Sequence, residues 1–340
     1  MPCQLFDAKS VASVLTMRDT LDACEVAFRD WGAGEVVCPT KITLELGEDA
    51  EWPPYRNGLN AMPAYIHSMK SAGIKCVGGS LNNPSWGLPY IIALILLFDP
   101  ETGVFKAILD GEQITNYRTG AQAAVAARHI WPGREIDLGI YGTGAQGRTQ
   151  LMAFAEAFDI RRVRVYDIDA SAAERYAREM GAACGVEIET MRDPERVAAE
   201  SEIIVSVTHS REKFLKKEWV APGKLVMPMG SFTECEDDLL LSADRVYVDS
   251  IGQTLHRGAL KSVVDQGRFG EPNIAATIGE VVCGKVDGRI KPDERVVCIP
   301  IGTGAMDVAV ATTVYRKALE KGMGQSFVFN ESVEVEPKRS

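Results

Sequence analysis

The stretch that decides the fold runs from residue 137 to residue 169 and reads DLGIYGTGAQGRTQLMAFAEAFDIRRVRVYDID. A short apolar strand at 138–141 leads directly into the glycine turn Gly142-Thr-Gly-Ala-Gln-Gly147. A helical apolar pattern follows, and then a second strand that ends at Asp167. In this strand–turn–helix–strand context, GxGxxG is a specific signal for a dinucleotide-binding βαβ unit.

Each glycine of the turn has its own physical task. Gly142 permits the tight turn, Gly144 lets the backbone approach a pyrophosphate, and Gly147 lets the helix pack closely on the strand. The helix N-terminus then offers N–H groups and a positive dipole to the phosphates. The alternative is a strand–helix turn without a ligand, which the complete βαβ context disfavours. We therefore predict that the cofactor lies on Gly142, Thr143, Gly144, Ala145, Gln146 and Gly147.

Asp167 decides between the two nicotinamide dinucleotides. It lies at the end of the second strand, where a carboxylate accepts hydrogen bonds from the ribose hydroxyls and repels a 2′-phosphate. NAD(H) is therefore predicted. NADP(H) stays an alternative because Arg161, Arg162 and Arg164 are near in sequence, although strand alternation predicts that these three side chains point to solvent.

The composition is that of an ordinary globular protein, with 46% hydrophobic and 25% charged residues. A length of 340 residues suits two domains. The net charge of −10 argues against nucleic acid or an anionic membrane as a partner. The longest apolar run, residues 90–98, is strand-sized. The first residues lack a basic and an apolar leader region, so we expect no signal peptide and a cytoplasmic location.

The eight cysteines and four histidines follow no ligand or disulfide pattern. No two cysteines form a CxxC pair, and most lie in apolar surroundings, so reduced thiols are expected. The histidines form neither HExxH nor a clustered spacing. We therefore expect no metal ion.

The order of strands and helices differs on the two sides of residue 135. Before it, the sequence predicts helical structure over 8–32, strands at 36–46, 62–69 and 74–77, a polar turn at Pro53 and Pro54, a hairpin of 91–99 with 104–109, and a helix over 114–130. After it, helices alternate with strands at 138–141, 163–166, 202–207, 224–229, 246–249 and 296–301. This pattern predicts an α/β fold, with a Rossmann-type doubly wound parallel sheet joined to an α+β domain. A final helix over 306–321 is expected to return to the first domain.

Short motifs spread over nearly the whole chain occur in a recognisable order. They are Pro39-Thr-Lys41, Ala61-Met-Pro-Ala-Tyr65, Ala72-Gly-Ile-Lys75, Asn82-Asn-Pro84, Gly87-Leu-Pro89, Thr115-Asn-Tyr-Arg118-Thr-Gly120, the Gly142–Gly147 turn, Val165-Tyr-Asp167, Ala276-Thr-Ile-Gly-Glu280 and Gly302-Thr-Gly-Ala-Met-Asp307. As an ordered set they resemble the ornithine cyclodeaminase/µ-crystallin family, and within it the alanine dehydrogenase type.

The resemblance implies a homodimer of two-domain subunits. Residues 1–120 and 306–330 would form the substrate-binding and dimerisation domain, and residues 121–305 the NAD-binding Rossmann domain. Residues 331–340 would be a polar tail. The active site is expected in the cleft between the domains, where ligands of open α/β sheets also bind.

Lys75 is the predicted catalytic residue. It follows a short apolar strand and precedes a glycine-rich loop. Beside a nicotinamide and other cations, desolvation and like charge would lower the pKa of such a lysine and make it a general acid/base near neutral pH. The resemblance implies a role on the amine or carbonyl at the substrate Cα. Without the resemblance, an exposed surface lysine would be the simpler interpretation.

Arg118 and Lys41 are the predicted partners of the substrate carboxylate, as the resemblance implies. Arg118 stands in the first turn of a helix within a largely uncharged run, and a guanidinium can grip a carboxylate with two parallel hydrogen bonds. Lys41 stands mid-strand, where many relatives carry arginine; lysine keeps the charge and loses the fork, so a looser grip is expected. The alternatives are a structural salt bridge for Arg118 and an edge-strand position without a ligand for Lys41.

Three departures from the family bear on the substrate. Asn60 stands where the alanine dehydrogenase type has an arginine, and Phe232 stands where relatives have an aspartate that faces the substrate amine. The loop at 233–238 is also shorter. Asn60 and Phe232 are expected to contact the substrate. Glu234 or Glu236 can substitute for the aspartate, although an acidic, solvated helix start is the favoured interpretation.

The remaining site residues follow the last strands of the parallel sheet. The resemblance implies that Thr208 and His209 lie over the adenosine or nicotinamide ribose, and that Gly304 and Asp307 lie beside the nicotinamide. Asp307 can equally interact with a helix dipole. Arg257 and the histidine before it are weaker candidates for a substrate contact, and a satisfied surface histidine is favoured.

The predicted function is that of an NAD(H)-dependent oxidoreductase. It would act on the Cα–N bond of a small α-amino or α-imino acid, as an amino-acid dehydrogenase or an imine reductase. One alternative is a cyclodeaminase that borrows a hydride from catalytic NAD and returns it. Another is a µ-crystallin-like binder of a dinucleotide or small ligand without catalysis. The sequence does not name the amino acid.

Overall fold

The computed structural model describes residues 2–46, 57–80, 82–230 and 232–329. Within these ranges the chain forms two eight-stranded sheets, each with its own helices. The turn expected at Pro53 and Pro54 and the tail expected over 331–340 lie outside the described residues. Among the helices described, none is both long and apolar enough to cross a membrane.

The first sheet is built mainly from the N-terminal part of the chain. Its strands are β1 (Cys3–Phe6), β2 (Val36–Val37), β3 (Ile42–Leu46), β4 (Asn57–Ile66), β5 (Ser71–Gly79), β6 (Ile91–Phe98) and β7 (Phe105–Asp110). Strands β3 to β7 pair as antiparallel neighbours, and β1 pairs with β7 in parallel. The hairpin of β6 and β7 agrees with the sequence. The strand expected over 36–46 is divided in two, and the strand expected over 62–69 lies earlier, as β4.

The first sheet is covered on one face by α1 (Ala8–Val14), α2 (Met17–Ala33) and α3 (Glu112–Ile130). The helical pattern over 8–32 therefore corresponds to two helices. Helix α2 begins after Thr16 because the Thr16 side chain accepts a hydrogen bond from the backbone N–H of Asp19. It ends where Gly34 adopts a left-handed conformation with φ of 87°.

The second sheet is entirely parallel. Its strands are β8 (Glu135–Tyr141), β9 (Asp159–Tyr166), β10 (Ile188–Thr190), β11 (Ile203–Ser206), β12 (Leu225–Pro228), β13 (Arg245–Val248), β14 (Ala276–Thr277) and β15 (Val296–Ile299). The spatial order is β10-β9-β8-β11-β12-β15-β13-β14. The chain runs outward from β8 to β10 and then returns to β11, so the strand order reverses between β8 and β11. The Rossmann-type α/β class is thereby confirmed, and the carboxyl ends at this reversal are where such sheets bind ligands.

Helices cross between the parallel strands and join the two sheets. They are α4 (Ala145–Ala157), α5 (Ala170–Cys184), α6 (Pro194–Ala199), α7 (Asp237–Leu241), α8 (Ile251–Thr254), α9 (Lys261–Asp265), α10 (Ile278–Val282) and α11 (Gly304–Glu320). After β15, α11 returns to pack on β4 and β5, and β16 (Gln325–Phe327) pairs with β1. The return of the final helix agrees with the sequence.

The predicted domain limits stay a prediction. Residue 120 lies inside α3, which packs against both α2 and α4 and so contacts the helices of both sheets. An added Cβ at Gly120 would overlap with the backbone carbonyl of Thr149 in α4, so the two helices approach closely there.

Candidate active site

The glycine turn between β8 and α4 has the form expected of a diphosphate site. Gly142 has φ of 95°, and an added Cβ at Gly147 would overlap with the carbonyl oxygen of Gly142. Gly144 is the N-cap of α4 and provides no side-chain capping bond, and an added Cβ there would meet no atom within 4 Å. The first N–H groups of α4 therefore have no side-chain cap, and the space beside Gly144 is open, which fits a phosphate group.

Asp167 lies beside this turn. Its Oδ2 atom accepts hydrogen bonds from the backbone N–H of Thr143 at 2.8 Å and from the Thr143 hydroxyl at 2.7 Å. The carboxylate is therefore held at the mouth of the turn, where the ribose of a dinucleotide bound on α4 would lie. The chemistry of the turn and of Asp167 fits NAD(H).

Arg164 corrects one expectation from strand alternation. Arg161 and Arg162 are exposed, but Arg164 is buried, and its Nε atom lies 3.1 Å from Glu200 Oε2. Helix α6 packs against this part of β9 and carries the chain to Glu200, so the expected solvent face is covered. Arg164 is thereby committed to an internal ion pair rather than offered to a 2′-phosphate.

A cavity of about 720 Å³ opens between the two sheets at the strand-order reversal. Nine of the candidate site residues line it: Lys41, Asn60, Lys75, Arg118, Gln146, Thr208, His209, Phe232 and Arg257. Residues that the sequence did not single out as site residues also line it, including Thr43, Tyr90 and Arg211. The cavity therefore brings the predicted substrate residues of the first sheet against the end of the glycine turn.

Lys75 and Arg118 meet on one carboxylate at the base of the cavity. Lys75 Nζ donates to Asp307 Oδ1 at 2.8 Å, and Arg118 Nε donates to the same oxygen at 2.9 Å. Lys75 and Asp307 are only 1% and 0% exposed. Asp307 stands in the first turn of α11, so the returning helix brings the negative charge to both cations. The sequence placed Asp307 beside the nicotinamide and did not predict this pairing.

The pKa of Lys75 is lowered to about 7. Burial is the main cause, because it disfavours the charged ammonium, and the positive charge of Arg118 adds to it. The charge and hydrogen bond of Asp307 oppose this shift. Near neutral pH the amine is therefore divided between its protonated and neutral forms, which is what a general acid/base requires.

Gly302 explains how Arg118 reaches its position. An added Cβ at Gly302 would overlap with Arg118 Nη1, and the residue has φ of 90°. The guanidinium thus lies against bare backbone, with its Nε held by Asp307. Among the described residues, no hydrogen bond engages its two terminal nitrogens. This leaves the geometry that a carboxylate can accept with two parallel bonds.

The charge of a second buried carboxylate, which the sequence did not single out, acts on Lys41. Asp249 follows β13 and is 3% exposed, and its Oδ2 atom accepts a hydrogen bond from the backbone N–H of Gly302 at 2.6 Å. Burial raises the pKa of Asp249 to about 6, and the charge of Lys41 opposes the shift. Burial and the charge of Arg257 lower the pKa of Lys41 to about 8.

Asn60 contacts Thr43 and Arg257. Its Oδ1 atom accepts hydrogen bonds from the Thr43 hydroxyl at 2.8 Å and from Arg257 Nη1 at 3.2 Å. Arg257 also donates to the Thr43 hydroxyl at 3.2 Å. A loop of the parallel sheet thus reaches across the cleft to β3 and β4. From the sequence, Arg257 is only a weak candidate, because its partners lie roughly 200 residues away.

Glu234 is not the solvated helix start that the sequence favoured. It is fully buried, and its Oε1 atom accepts hydrogen bonds from the backbone N–H of Thr208 at 2.6 Å and the Thr208 hydroxyl at 2.5 Å. Burial raises its pKa. Its role is to fix the loop after β11, and it does not line the cavity. Glu236 is the N-cap residue of α7.

Aromatic rings close one side of the cavity. His209 stacks at a tilt between Tyr90 and Phe232, with ring centroids 5.1 Å and 5.4 Å away. Tyr90 comes from the loop before β6, whereas the other two rings follow strands of the parallel sheet. Phe232 therefore forms an apolar wall where an aspartate was expected from the family. Gly304 is placed differently: it is buried, and an added Cβ there would overlap with the carbonyl of Met62. Its predicted cofactor contact stays a prediction.

Comparison with known proteins gives matches along nearly the whole chain. The model of the ornithine cyclodeaminase/mu-crystallin family matches residues 4–322. Alanine dehydrogenase of Archaeoglobus fulgidus is 33% identical over 335 residues, which are 97% of this chain and 99% of that protein. An archaeal alanine dehydrogenase dimer solved with bound NAD is 32% identical, with a TM-score of 0.89, and the match covers 97% of this chain and 100% of that one. Delta(1)-pyrroline-2-carboxylate reductase of Thermococcus litoralis, solved with NADH and L-proline, is 29% identical, with a TM-score of 0.88 over 95% and 99% of the two chains.

Proposed function

This chain belongs to the ornithine cyclodeaminase/mu-crystallin family, and we propose that it acts as an NAD(H)-dependent oxidoreductase on the Cα–N bond of a small α-amino or α-imino acid. The observation that carries the proposal is the meeting of Lys75 and Arg118 on Asp307, in a cavity that reaches the glycine turn. Relatives named as an alanine dehydrogenase and a pyrroline-carboxylate reductase, the second solved with NADH, support both the reaction class and the cofactor.

The nicotinamide, when bound, supplies the hydride exchange with Cα. In the oxidative direction an amino acid, NAD⁺ and water give an oxo acid, ammonium, NADH and a proton. In the reductive direction an imine takes up a hydride from NADH and a proton to give the amine. The chain itself holds the substrate and manages the proton on nitrogen.

Lys75 is the proposed acid/base. Its neutral form accepts the proton of the substrate ammonium, or of the water that replaces nitrogen, and its protonated form returns one in the reverse direction. The lowered pKa makes both forms available near neutral pH. Asp307 keeps Nζ in place, because the short hydrogen bond joins a buried amine to a buried carboxylate.

Arg118 is the proposed anchor of the substrate α-carboxylate, with Lys41 as the second cation. The terminal nitrogens of Arg118 offer a planar pair of donors, and Lys41 lines the same cavity. With the carboxylate fixed there, Cα is held close to both Lys75 and the end of the glycine turn.

The site favours net oxidation or reduction over cyclodeamination. Phe232 presents an apolar ring instead of a carboxylate for a second amino group, and the buried Glu234 is already engaged by Thr208. Both Lys75 and Arg118 are in place, which disfavours a binder without catalysis. Net change in NADH on adding substrate distinguishes these functions, because cyclodeamination gives none.

The subunit is proposed to form a homodimer through the outer face of the first sheet. Alternate residues of β3, β4, β6 and β7 expose apolar side chains on this face: Ile42, Leu44, Leu59, Ile92, Leu94 and Phe105. An apolar patch of this kind marks an interaction surface, and an archaeal relative was solved as a dimer. Sedimentation should give a dimer for the wild type and a monomer for Leu94→Glu.

The eight free cysteines support a reducing, cytoplasmic location.

A substrate screen tests the proposed function directly. The full chain is mixed with NADH, ammonia or methylamine and a panel of α-oxo acids, and separately with cyclic imines, and NADH absorbance is followed. Oxidation of NADH by at least one oxo acid or imine is expected, with little rate from NADPH. Release of ammonia from a diamino acid with no net change in NADH would instead establish a cyclodeaminase.

A further inference from the structure

The cavity carries more positive charge than one α-carboxylate requires. Among the described residues, five cationic side chains line it and Glu45 is the one acidic side chain in its lining: the five are Lys41, Lys75, Arg118, Arg211 and Arg257. The whole protein has a net charge of −10, so this local excess opposes the general balance. A cleft that concentrates one sign of charge in a protein of the opposite sign is suited to a ligand of matching charge.

Buried carboxylates beneath the cavity offset the positive charge of three of these cations. Asp307 pairs with Lys75 and Arg118, and the charge of Asp249 acts on Lys41. The charge of Glu45 acts on Arg257, but within the described residues no carboxylate lies within ion-pair distance of its guanidinium. Its hydrogen bonds go to two neutral oxygens, those of Thr43 and Asn60.

Arg257 is nevertheless half-buried, and its burial lowers its pKa. A guanidinium removed from water without an ion-paired carboxylate is costly, and such a group gains from an anionic ligand. Thr43 and Asn60 hold it through Nη1. The remaining donors of the fork can then meet an anion in the cavity, which Arg257 lines.

Strand register places the anchor of this arginine relative to the reacting centre. Met62 pairs with Lys75, and Asn60 pairs with Val77, so Asn60, which holds Arg257, lies two residues along β4 from the neighbour of Lys75 and on the same sheet face. Two residues of a strand span about 7 Å. That spacing suits a substrate in which one or two methylene groups separate Cα from a second acidic group.

We propose that Arg257, positioned by Asn60 and Thr43, binds the side-chain carboxylate of a four- or five-carbon amino or imino dicarboxylate. In this arrangement Arg118 and Lys41 hold the α-carboxylate. Lys75 acts as the acid/base at Cα, and Arg257 binds the second carboxylate. The proposal rests on the proposed function for its chemistry. It adds the class of substrate and the residue that recognises the side-chain carboxylate.

Pairs of amino acids that differ only in charge provide the test. Initial rates of NAD⁺ reduction are measured with L-aspartate against L-asparagine and with L-glutamate against L-glutamine. The wild type should favour one acid over its amide by at least about tenfold in kcat/KM. In Arg257→Gln that ratio should fall by about 30-fold, mainly through KM, as expected for the loss of a charge-assisted hydrogen-bonded pair. Arg257→Lys should give an intermediate ratio because it keeps the charge and loses the fork.

Arg211→Gln is the matched control, since it removes one positive charge from the same cavity without touching Asn60 or Thr43. Its acid-to-amide ratio should change much less than that of Arg257→Gln. An equal or larger change in Arg211→Gln would overturn the assignment to Arg257. A wild type that favours the amides, or a ratio unchanged in Arg257→Gln, would overturn it as well.

A binding measurement separates this proposal from the proposed function. Succinate and its monoamide succinamate are titrated calorimetrically into the NAD⁺-loaded protein. Tighter binding of succinate, lost in Arg257→Gln, is expected whether or not any amino acid is turned over. If no oxo acid, imine or amino acid reacts in any screen, the proposed function fails. The preference for succinate over succinamate still tests whether Arg257 binds the second carboxylate. Equal binding of the two ligands would overturn the proposal.

Discussion

Lys75 Nζ lies 2.8 Å from Asp307 Oδ1, although the two residues are 232 positions apart in the chain. Lys75 is on β5 of the first sheet, and Asp307 opens the helix that returns from the second. The same oxygen accepts a hydrogen bond from Arg118. One buried carboxylate therefore sets the position of the proposed acid/base and of the proposed carboxylate anchor together.

Replacement of Lys75 should remove the chemical step and leave the cofactor site intact. Methionine is close in length and apolar, so it suits this buried position. Loss of a general acid/base typically lowers a rate by about 10²- to 10⁴-fold, and Lys75→Met should fall in that range in kcat/KM. NADH fluorescence titration should give an unchanged Kd. Lys285→Met, at an exposed position, is the control, and near wild-type turnover by Lys75→Met would contradict the assignment.

Removal of the charge of Asp307 should move the pH profile toward acid. Asp307 raises the pKa of Lys75 against the opposing effects of burial and Arg118, so Asp307→Asn should lower that pKa below about 7. Oxidation needs the neutral amine, and its kcat/KM rises with pH through the pKa of Lys75. The rising limb should therefore appear at lower pH in the variant, as should the falling limb of reduction. A limb that stays in place or moves toward alkaline pH would show that Lys75 does not titrate in this step.

Asp167 should determine the cofactor preference. Its carboxylate repels a 2′-phosphate, so Asp167→Ser should narrow the NADH-over-NADPH ratio of kcat/KM by about tenfold or more, equivalent to roughly 1.4 kcal/mol. Asp169→Asn is the control, because it removes a carboxylate two residues away, at the N-cap of α5. That variant should keep the preference. An unchanged ratio in Asp167→Ser would mean that another group excludes NADPH.

Local sequence predicted the features of the site that depend on neighbouring residues. The Gly142–Gly147 turn and Asp167 lie within one βαβ unit, so spacing and residue type were sufficient. Lys75 and Arg118 required the family resemblance, since neither stands in a local pattern that is specific to catalysis. The lowered pKa of Lys75, and the Asp307 carboxylate that Lys75 shares with Arg118, depend on burial, which no short window of sequence reveals.

The buried acids could not be predicted because their partners are distant in the chain. Asp307 lies 189 residues from Arg118, and Asp249 lies 53 residues from the backbone N–H that it accepts. Glu234 stands among other acids, TECEDD, which is the usual composition of a solvated helix start. Only the fold shows that the loop after β11 closes over it. Arg257 is only a weak candidate from the sequence for the same reason, because its partners Thr43 and Asn60 are also distant in the chain.

Glu234 should make the stability of the protein depend on pH. Burial raises its pKa, so its native form binds a proton more readily than its unfolded form. The resulting stability is fully present below the unfolded pKa and is lost as pH rises through the folded pKa. The melting temperature, measured from pH 4.5 upward, should therefore decline as pH rises, and it should decline less steeply in Glu234→Gln. Glu236→Gln, a neighbouring half-buried acid, should keep the wild-type slope, and an equal slope in all three proteins would contradict the prediction.

Gly302→Ala should weaken substrate binding through Arg118. Gly302 has φ of 90°, and an added methyl group would overlap with Arg118 Nη1. The guanidinium must then move, which should raise KM for the substrate about tenfold, in keeping with the loss of a well-aligned pair of hydrogen bonds. Gly284→Ala is the matched control: its φ is 80°, and an added Cβ meets no atom within 4 Å. Both variants pay the cost of a left-handed alanine, about 1 kcal/mol in the free energy of unfolding. Only Gly302→Ala should raise KM, so an equal KM in the two variants would mean that Arg118 does not hold the carboxylate.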